Sequence, residues 1–130
     1  MIPKWFGVFS FLFFLLLVPA HTEAKSQLPK EITFSELPIQ LQFIALCESG
    51  GRHEVNDKVI QSRTDDWGIM QISRKYHLKR SINLGYDIFS PQGNMAYALF
   101  LYTENGLNPW RASMKCYRKL SYLSLATLPL

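Results

Sequence analysis

The stretch Phe43–Gly51 places a carboxylate, Glu48, at the end of an apolar helical pattern that a pair of glycines interrupts. Counting back from Glu48 in steps of three and four reaches Ile44, Leu41 and Leu37, so these residues share one stripe of a predicted helix. A carboxylate on an inward-facing stripe resists ionisation, and we expect its pKa to be raised. A raised pKa suits a general acid. The alternative is a carboxylate that turns out to solvent or pairs with a nearby arginine.

Residues 1–24 have the layout of a secretory signal peptide. Lys4 precedes an apolar run over residues 5–18, and the small residues Ala20 and Ala24 mark possible cleavage sites. The run is shorter than the roughly 20 residues that a membrane-spanning helix prefers. An uncleaved anchor is the alternative, and only then do we expect contact with a membrane. In both cases the functional part is predicted to be secreted or to lie in the periplasm or cell envelope.

The predicted export bears on the oxidation state of the two cysteines, Cys47 and Cys116. An oxidising compartment favours a disulfide between them. In the chain-entropy model such a bridge contributes about 4 kcal/mol. It would join the end of the Glu48 helix to the C-terminal segment. The alternative is two buried free thiols.

The chain of 130 residues predicts one small, mainly α-helical domain. We expect a leader over residues 25–34, the domain over 35–118 and a C-terminal tail over 119–130, with at most one small hairpin, in residues 52–72. The predicted elements are a helix over 36–48 with Ser35 as its N-cap, a loop over 52–66, a short apolar piece over 67–72, a helical turn over 74–79, a turn over 83–86, a helix between Ser90-Pro91 and Gly106, and a short helix from Asn108.

The formal net charge of +4 suits an anionic partner, without choosing between cell-wall polymer, nucleic acid and acidic lipid. No block of like charge is typical of a nucleic-acid-binding tail, and we predict no nucleic-acid partner. The histidines at positions 21, 53 and 77 are too scattered for a metal-ligand set. His53 and His77 are predicted to be surface residues.

Three short motifs follow one another along the chain: Glu48-Ser-Gly, Gly68-Ile-Met-Gln-Ile and Pro91-Gln-Gly-Asn94. In this order and spacing they resemble the lysozyme-like domain of the soluble lytic transglycosylase (SLT) family, which is related to goose-type lysozyme. The family pattern is a helix ending in Glu-Ser-Gly, then Gly-Leu-Met-Gln-Ile, then a helix opening with Pro-x-x-Asn. The resemblance covers about residues 36–117 and implies a lysozyme-like α+β fold.

The resemblance implies that Glu48 is a single catalytic acid and base acting on peptidoglycan. It would protonate the glycosidic oxygen between N-acetylmuramic acid and N-acetylglucosamine. It would then accept a proton from the C6 hydroxyl of muramic acid, which closes on C1 and leaves a 1,6-anhydro sugar. One carboxylate is enough because the nucleophile belongs to the substrate, unlike the two-carboxylate glycosidases. The resemblance implies no metal and no cofactor, and we expect a monomer whose partner is the glycan strand.

Five further residues are assigned to the substrate cleft by the same resemblance, each with a structural alternative. Ser49 would position groups around the cleft, or satisfy the last helix carbonyls. Gln71 would face the cleft, or make a structural hydrogen bond. Met70 would line the sugar site, or fill the core. Asn94 would contact substrate, or tie its helix to the motif loop. Tyr102 matches a cleft tyrosine of the family, or is a core aromatic.

Asp65 and Asp66 leave the reaction type open. In goose-type enzymes, acidic residues near the equivalent loop are candidates for activating water, and one of these aspartates would make the protein a hydrolase. The alternative is a solvated loop pair. Trp67 and Trp110 would either stack on sugar faces or belong to the core. A non-catalytic wall-binding or assembly protein, and an anchored component of a secretion or conjugation apparatus, are the remaining interpretations.

Overall fold

The described part of the chain, residues 27–126 of the computed structural model, forms four α-helices and two small antiparallel hairpins. The mainly helical class predicted from the sequence is confirmed. The predicted signal peptide, residues 1–24, and residues 127–130 of the predicted tail lie outside the described residues. In chain order the elements are a first 3₁₀ helix (Phe34–Glu36), α1 (Ile39–Ser49), β1 (Glu54–Val55), β2 (Lys58–Val59), β3 (Asp66–Trp67), β4 (Ile72–Ser73), α2 (Arg74–Asn83), α3 (Pro91–Asn105), a second 3₁₀ helix (Asn108–Ser113) and α4 (Met114–Ala126).

The first long helix begins at Ile39, later than predicted, and Ser35 is not its N-cap. The physical reason is Pro38, because the residue before a proline is driven away from helical backbone. Leu37 accordingly has an extended backbone, with ψ of 142°. A separate 3₁₀ helix precedes this point, and its N-cap is Thr33.

The predicted inward stripe of α1 is confirmed. Leu41 and Ile44 have no exposed surface, and Leu37 is 3% exposed. The helix ends where Gly50 adopts a left-handed backbone with φ of +66°, a conformation that costs a glycine little. Glu48 therefore lies in the last turn of α1, one turn after the core residue Ile44.

The segment between α1 and α2 contains two hairpins, although at most one was predicted. Strands β1 and β2 pair with Glu54 opposite Val59, and β3 and β4 pair with Asp66 opposite Ser73. The first turn is made by Asn56 and Asp57, both with positive φ, which is the backbone of a type I′ turn. This Asn-Asp pair was the sequence signal for a hairpin within the predicted loop over residues 52–66.

The C-terminal half is helical and supplies half of the buried apolar core. Ser90 caps α3 by accepting a hydrogen bond from the Gly93 amide, as its sequence predicts, and the helix ends before Gly106. The buried centre of α3 belongs to the same hydrophobic core as Leu41 and Ile44 of α1, and Asn94 bonds it to the second hairpin. Helix α2 extends beyond the predicted turn to Asn83, and α4 continues through residue 118 to Ala126. The buried residues of α3 are Gly93, Asn94, Met95, Ala96, Tyr97, Ala98 and Leu101.

A disulfide between Cys47 and Cys116 joins α1 to α4, which confirms the predicted pairing. Beside it, the rings of Phe43 and Tyr117 pack edge to face with centroids 6.2 Å apart. The two cysteines are 69 positions apart in the sequence, and both hairpins, α2 and α3 lie between them. No helix in residues 27–126 has the length and apolar character needed to cross a bilayer.

Candidate active site

Glu48 lines a polar cavity of about 190 Å³ at the C-terminal end of α1. The other walls come from the second hairpin, α2 and the second 3₁₀ helix, which contribute Asp66, Gln71, His77 and Trp110. A water molecule occupies about 30 Å³ in the liquid. The cavity therefore has room for several waters, or for the part of a ligand that lies against the acid.

The carboxyl group of Glu48 has the properties predicted for a general acid. Burial raises its pKa above the ordinary value of 4.5, and the negative charge of Asp66 raises it further. A hydrogen bond from Ser113 opposes this rise. Glu48 takes part in neither ion pair of the described residues, so it does not adopt the alternative of pairing with an arginine.

Ser113 is the one direct hydrogen-bond donor to Glu48 in residues 27–126, and sequence analysis did not assign it to the site. Its Oγ donates to Glu48 Oε1 at 2.6 Å. It lies at the end of the second 3₁₀ helix, three residues before Cys116. Because Cys47 directly precedes Glu48, the disulfide brings Ser113 to the acid. The predicted cysteine pair was thus the available signal for this residue.

The loop that connects β3 to β4, residues 68–71, is fastened to the end of α1 by Ser49. The Ser49 hydroxyl donates to the carbonyl of Ile69 at 2.8 Å and contacts that of Ala45 at 3.2 Å. It therefore fills both of the roles considered for it, because it satisfies a helix carbonyl and also positions the loop beside Glu48.

Asn94 fastens the same loop from the opposite side. It has no exposed surface. Its Oδ1 accepts from the Met70 amide at 2.9 Å, while its Nδ2 donates to the carbonyls of Trp67 at 2.9 Å and Ile88 at 2.7 Å. All of these bonds go to backbone atoms. They therefore match the structural alternative, in which Asn94 ties the start of its helix to the motif loop.

Met70 also has no exposed surface, and its side chain fills the core. It does not line the Glu48 cavity, so the core alternative holds in this structure. The backbone of Met70 serves the site instead, since its carbonyl accepts from the Trp110 indole at 3.0 Å. Trp110 is thereby anchored in the core while one part of it faces the cavity.

His53 was predicted to be a surface residue, and this prediction is wrong. The side chain is 8% exposed and lies beneath the 68–71 loop. Its Nδ1 accepts from the Ile69 amide at 3.2 Å, and its Nε2 contacts the Phe89 carbonyl at 2.8 Å, which requires the proton on Nε2. A buried imidazole is tolerated here because both ring nitrogens have partners.

Of the remaining predicted cleft residues, Gln71 lines the cavity and Tyr102 does not. Gln71 has a left-handed backbone with φ of +48°, and its side-chain amide donates to the Gly68 carbonyl at 2.8 Å. It therefore combines a structural hydrogen bond with exposure to the cavity. Tyr102 packs half-buried against the core from α3.

The two aspartates before Trp67 have different surroundings. Asp65 is bound by Arg74, by the Trp67 indole and by Gln61, and the Arg74 hydrogen bond is the main reason that its pKa is lowered. Asp66 points into the Glu48 cavity, so the pair is not simply solvated. Its carboxylate accepts from the hydroxyls of Ser62 at 2.9 Å and Thr64 at 2.5 Å.

His77 lines the cavity as well, contrary to its predicted place on the surface. Burial lowers its pKa, and the charge of Arg80 lowers it further, so the neutral form is favoured. Its Nδ1 lies 3.1 Å from the Tyr97 hydroxyl. The structure therefore adds Ser113 and His77 to the site, and of the two aspartates considered from the sequence it places Asp66 in the cavity.

A larger groove of about 600 Å³ lies between α2 and α3, and its lining includes Tyr76, Phe100 and Glu104. Its one carboxylate, Glu104, forms a two-point ion pair with Arg80 at 2.8 and 2.9 Å. That carboxylate is already paired with Arg80, and most of the surface that lines the groove is apolar. The smaller cavity, with two carboxylates, an imidazole and an amide, is the better candidate for chemistry.

Comparison of the chain with protein-family models, with characterised proteins and with solved structures found no significant match. In residues 27–126 no group of three or more His, Cys, Asp and Glu side chains is arranged to hold a metal ion. The candidate site is therefore described by its own geometry: a partly buried carboxyl with a raised pKa, a hydroxyl donor to that carboxyl and a second carboxylate that lines the same cavity.

Proposed function

We propose that the protein is a peptidoglycan lytic transglycosylase with the lysozyme-like fold that its motifs resemble. The observation that carries the proposal is the position of Glu48, a carboxyl of raised pKa in a polar cavity, held by Ser113 at 2.6 Å. A group of this kind keeps its proton at a pH where an exposed carboxyl has lost it. The substrate would be the β-1,4 bond between N-acetylmuramic acid and N-acetylglucosamine.

In the proposed reaction, protonated Glu48 donates its proton to the glycosidic oxygen as the bond from that oxygen to C1 breaks. The resulting Glu48 carboxylate accepts a proton from the C6 hydroxyl of muramic acid. The C6 oxygen then bonds to C1, which gives the 1,6-anhydro product and restores protonated Glu48. No water is consumed, so the protein needs one group that acts first as acid and then as base.

The surroundings of Glu48 support both halves of this cycle. Burial favours the protonated acid, while the Ser113 hydrogen bond favours the carboxylate. The carboxylate of Asp66 adds negative charge to the cavity, where positive charge develops at C1 as the glycosidic bond breaks.

A hydrolase on the same polymer is the second candidate, and the position of Asp66 favours it specifically. Asp66 lines the same cavity as the acid and would hold a water for attack on C1. Asp65 is unsuited to that role because Arg74, Trp67 and Gln61 already occupy its carboxylate. The two candidates differ only in whether the nucleophile is water or the substrate's own C6 hydroxyl.

Export through the predicted signal peptide would bring the domain to the cell wall. An anchored wall-cutting component of a larger apparatus would share the same chemistry. A non-catalytic wall-binding protein would have no use for an acid of raised pKa inside a polar cavity. We therefore place catalysis ahead of binding alone.

The direct test is release of soluble fragments from purified peptidoglycan by the protein and by its Glu48→Gln variant. Glutamine keeps the shape of the side chain and an oxygen that accepts from Ser113, but it donates no proton to a leaving group. As a matched control, Glu54→Gln removes one exposed carboxylate from β1. We expect fragments from the parent and the control, and none from Glu48→Gln.

Stability measurements show whether Glu48→Gln is folded. The folded-state pKa of Glu48 is raised, so its ionisation costs folding free energy as the pH rises from 4.5 through that raised value. Glutamine carries no such cost, and at neutral pH the variant should unfold at the same or a higher temperature than the parent. Fragments released equally by a folded Glu48→Gln variant would overturn the proposal. A folded, wall-binding parent that releases nothing would support the non-catalytic alternative.

A further inference from the structure

The excess positive charge of the chain is confined to its C-terminal region. The sequence contains 14 Lys and Arg against 10 Asp and Glu, and no acidic residue follows Glu104. The four basic residues after that point account for the whole formal charge of +4. All four are exposed, and none belongs to either ion pair of the described residues. They are Arg111, Lys115, Arg118 and Lys119.

Helix α4 carries three of these cations on the face that points away from the protein. Its inner face is fixed by Cys116, which is bonded to Cys47, and by Tyr117, which packs on Phe43. The outer face follows helical spacing through Lys115, Arg118, Tyr122 and Leu125. None of the residues of α4 is fully buried, although the helix is 13 residues long.

The last two turns of α4 add apolar surface next to the cations. Tyr122 is 73% exposed, Leu125 is 68% exposed and Leu123 is 50% exposed. Basic residues thus occupy the first part of the outer face, Tyr122 and Leu125 occupy the last part, and Leu123 lies at its side. At a lipid bilayer, Lys and Arg are attracted to anionic headgroups, and exposed aromatic and leucine side chains favour the boundary between headgroups and acyl chains.

We propose that this outer face of α4 docks on an anionic membrane surface. The cations contact lipid phosphates, and Tyr122 and Leu125 enter the boundary between headgroups and acyl chains. Charge alone would suit a soluble polyanion equally well. The exposed apolar side chains favour a lipid surface, because a solvated polyanion offers nothing to bury them. The proposal does not depend on the enzymatic function.

The test is co-sedimentation of residues 25–130 with lipid vesicles. This form omits the predicted signal peptide, whose apolar run would bind lipid by itself. All the described core residues and both cysteines lie between Ile32 and Cys116, within this form. One set of vesicles contains phosphatidylcholine with phosphatidylglycerol, and the other contains phosphatidylcholine alone. Soluble polyphosphate serves as the competing polyanion.

Three variants separate charge from apolar contact. The first replaces Lys115, Arg118 and Lys119 by Gln, and the second combines Tyr122→Ser with Leu125→Ser. The matched control replaces three exposed cations elsewhere by Gln, and so removes the same charge. These control residues are Lys58, Arg63 and Lys79.

We expect the parent to bind the anionic vesicles and to bind much more weakly to the neutral ones. Each Lys or Arg at an anionic surface contributes about fivefold to the partition coefficient, so the first variant should lose about a hundredfold. The second variant should lose at least about tenfold. The control variant should stay close to the parent, apart from a general decrease due to its lower net charge.

Two results would overturn the proposal. Equal losses in the first variant and the control would show that net charge, rather than α4, determines binding. Binding to polyphosphate that matches binding to vesicles, with the Tyr122 and Leu125 variant unchanged, would assign the surface to a soluble polyanion. Circular dichroism and melting temperatures of every variant establish that losses do not come from unfolding.

Discussion

Ser113 and Glu48 lie 65 residues apart in the chain and are joined by a hydrogen bond of 2.6 Å between Ser113 Oγ and Glu48 Oε1. The disulfide between Cys47 and Cys116 lies beside this contact on both chains, because Cys47 precedes Glu48 and Cys116 follows Ser113 by three residues. A single covalent bond therefore fixes the acid and its hydrogen-bond donor to each other.

Replacing Ser113 by Ala should raise the pKa of Glu48. The Ser113 hydroxyl stabilises the carboxylate form, and its removal leaves burial and Asp66 unopposed. The Glu48 pKa can be measured by NMR of its side-chain carboxyl carbon. If Glu48 acts as an acid, the high-pH limit of activity should move to higher pH as well. Ser121→Ala, which removes an α4 hydroxyl that donates to the Arg118 carbonyl of the same helix, should change neither value. A Glu48 pKa that falls would contradict this account.

Replacing Asp66 by Asn should lower the pKa of Glu48, the opposite of the Ser113 result. The negative charge of Asp66 disfavours ionisation of its neighbour, and Asn carries no charge. Because an acid must be protonated to act, activity should fail at lower pH than in the parent. The matched control is Asp57→Asn, which removes one charge from the exposed turn between β1 and β2, where Asn tolerates the left-handed backbone.

The same Asp66→Asn variant separates the two candidate reactions. A general base usually contributes about 10²- to 10⁴-fold to the rate. If Asp66 activates water, the variant should lose that factor in the maximal rate at every pH. If the substrate supplies the nucleophile, the main effect should be the shift of the pH profile.

Replacing Gly68 by Ala should destabilise the fold and the site together. A Cβ atom at Gly68 would lie 2.5 Å from the His53 ring and 2.8 Å from Asn94 Nδ2, and both of these groups hold the 68–71 loop. The backbone φ of +74° adds its own strain. We expect a loss of at least about 2 kcal/mol in the free energy of unfolding, measured with denaturant.

Gly85→Ala is the matched control for this prediction. Its φ is +79°, close to that of Gly68, but the nearest atom to its Cβ would be Lys30 Cε at 3.9 Å. The difference between the two variants isolates the close approach of His53 and Asn94. Equal losses would show that backbone strain alone explains the effect.

Replacing both cysteines by Ser should lower the free energy of unfolding by about 4 kcal/mol, because the bridge restrains a long loop in the unfolded chain. A second expected effect is local: Ser113 loses its restraint against Glu48, and the Glu48 pKa rises as in Ser113→Ala. Reductant should reproduce both effects in the parent and change nothing in the double variant. Equal melting temperatures of the parent with and without reductant would contradict the prediction.

Local sequence patterns predicted those features that depend on neighbouring residues. The stripe that buries Leu41 and Ile44 is set by helical periodicity, and the bounds of α3 are set by Ser90 and Gly106. The pairing of Cys47 with Cys116 was predicted because the chain has only two cysteines. The late start of α1 was also a local effect, since Pro38 excludes helical backbone at the residue before it.

Features that depend on distant residues were missed. A histidine in a polar segment is most simply a surface residue, and His53 is buried only because the Ile69 amide and the Phe89 carbonyl come together from other parts of the chain. No sequence motif marks Ser113 or His77 as a functional residue. The fold brings Ser113 within hydrogen-bond distance of Glu48 and places His77 in the wall of the cavity. Asp65 lies just before β3 and has a left-handed backbone with φ of +66°, whereas Asp66 is the first residue of the strand. This change of backbone between two adjacent aspartates gives them separate surroundings, and the sequence alone does not reveal it.

In the proposed reaction, Glu48 cleaves a glycosidic bond without consuming water. The most direct test is a digest of purified peptidoglycan in water labelled with heavy oxygen, with the products analysed by mass spectrometry and the Glu48→Gln variant run beside the parent. The account predicts anhydro-ended fragments, one water lighter than hydrolysed ones and free of the label, from the parent alone. Reducing-ended fragments that carry the label would contradict it, and would assign the attacking water to the cavity that Asp66 shares with Glu48.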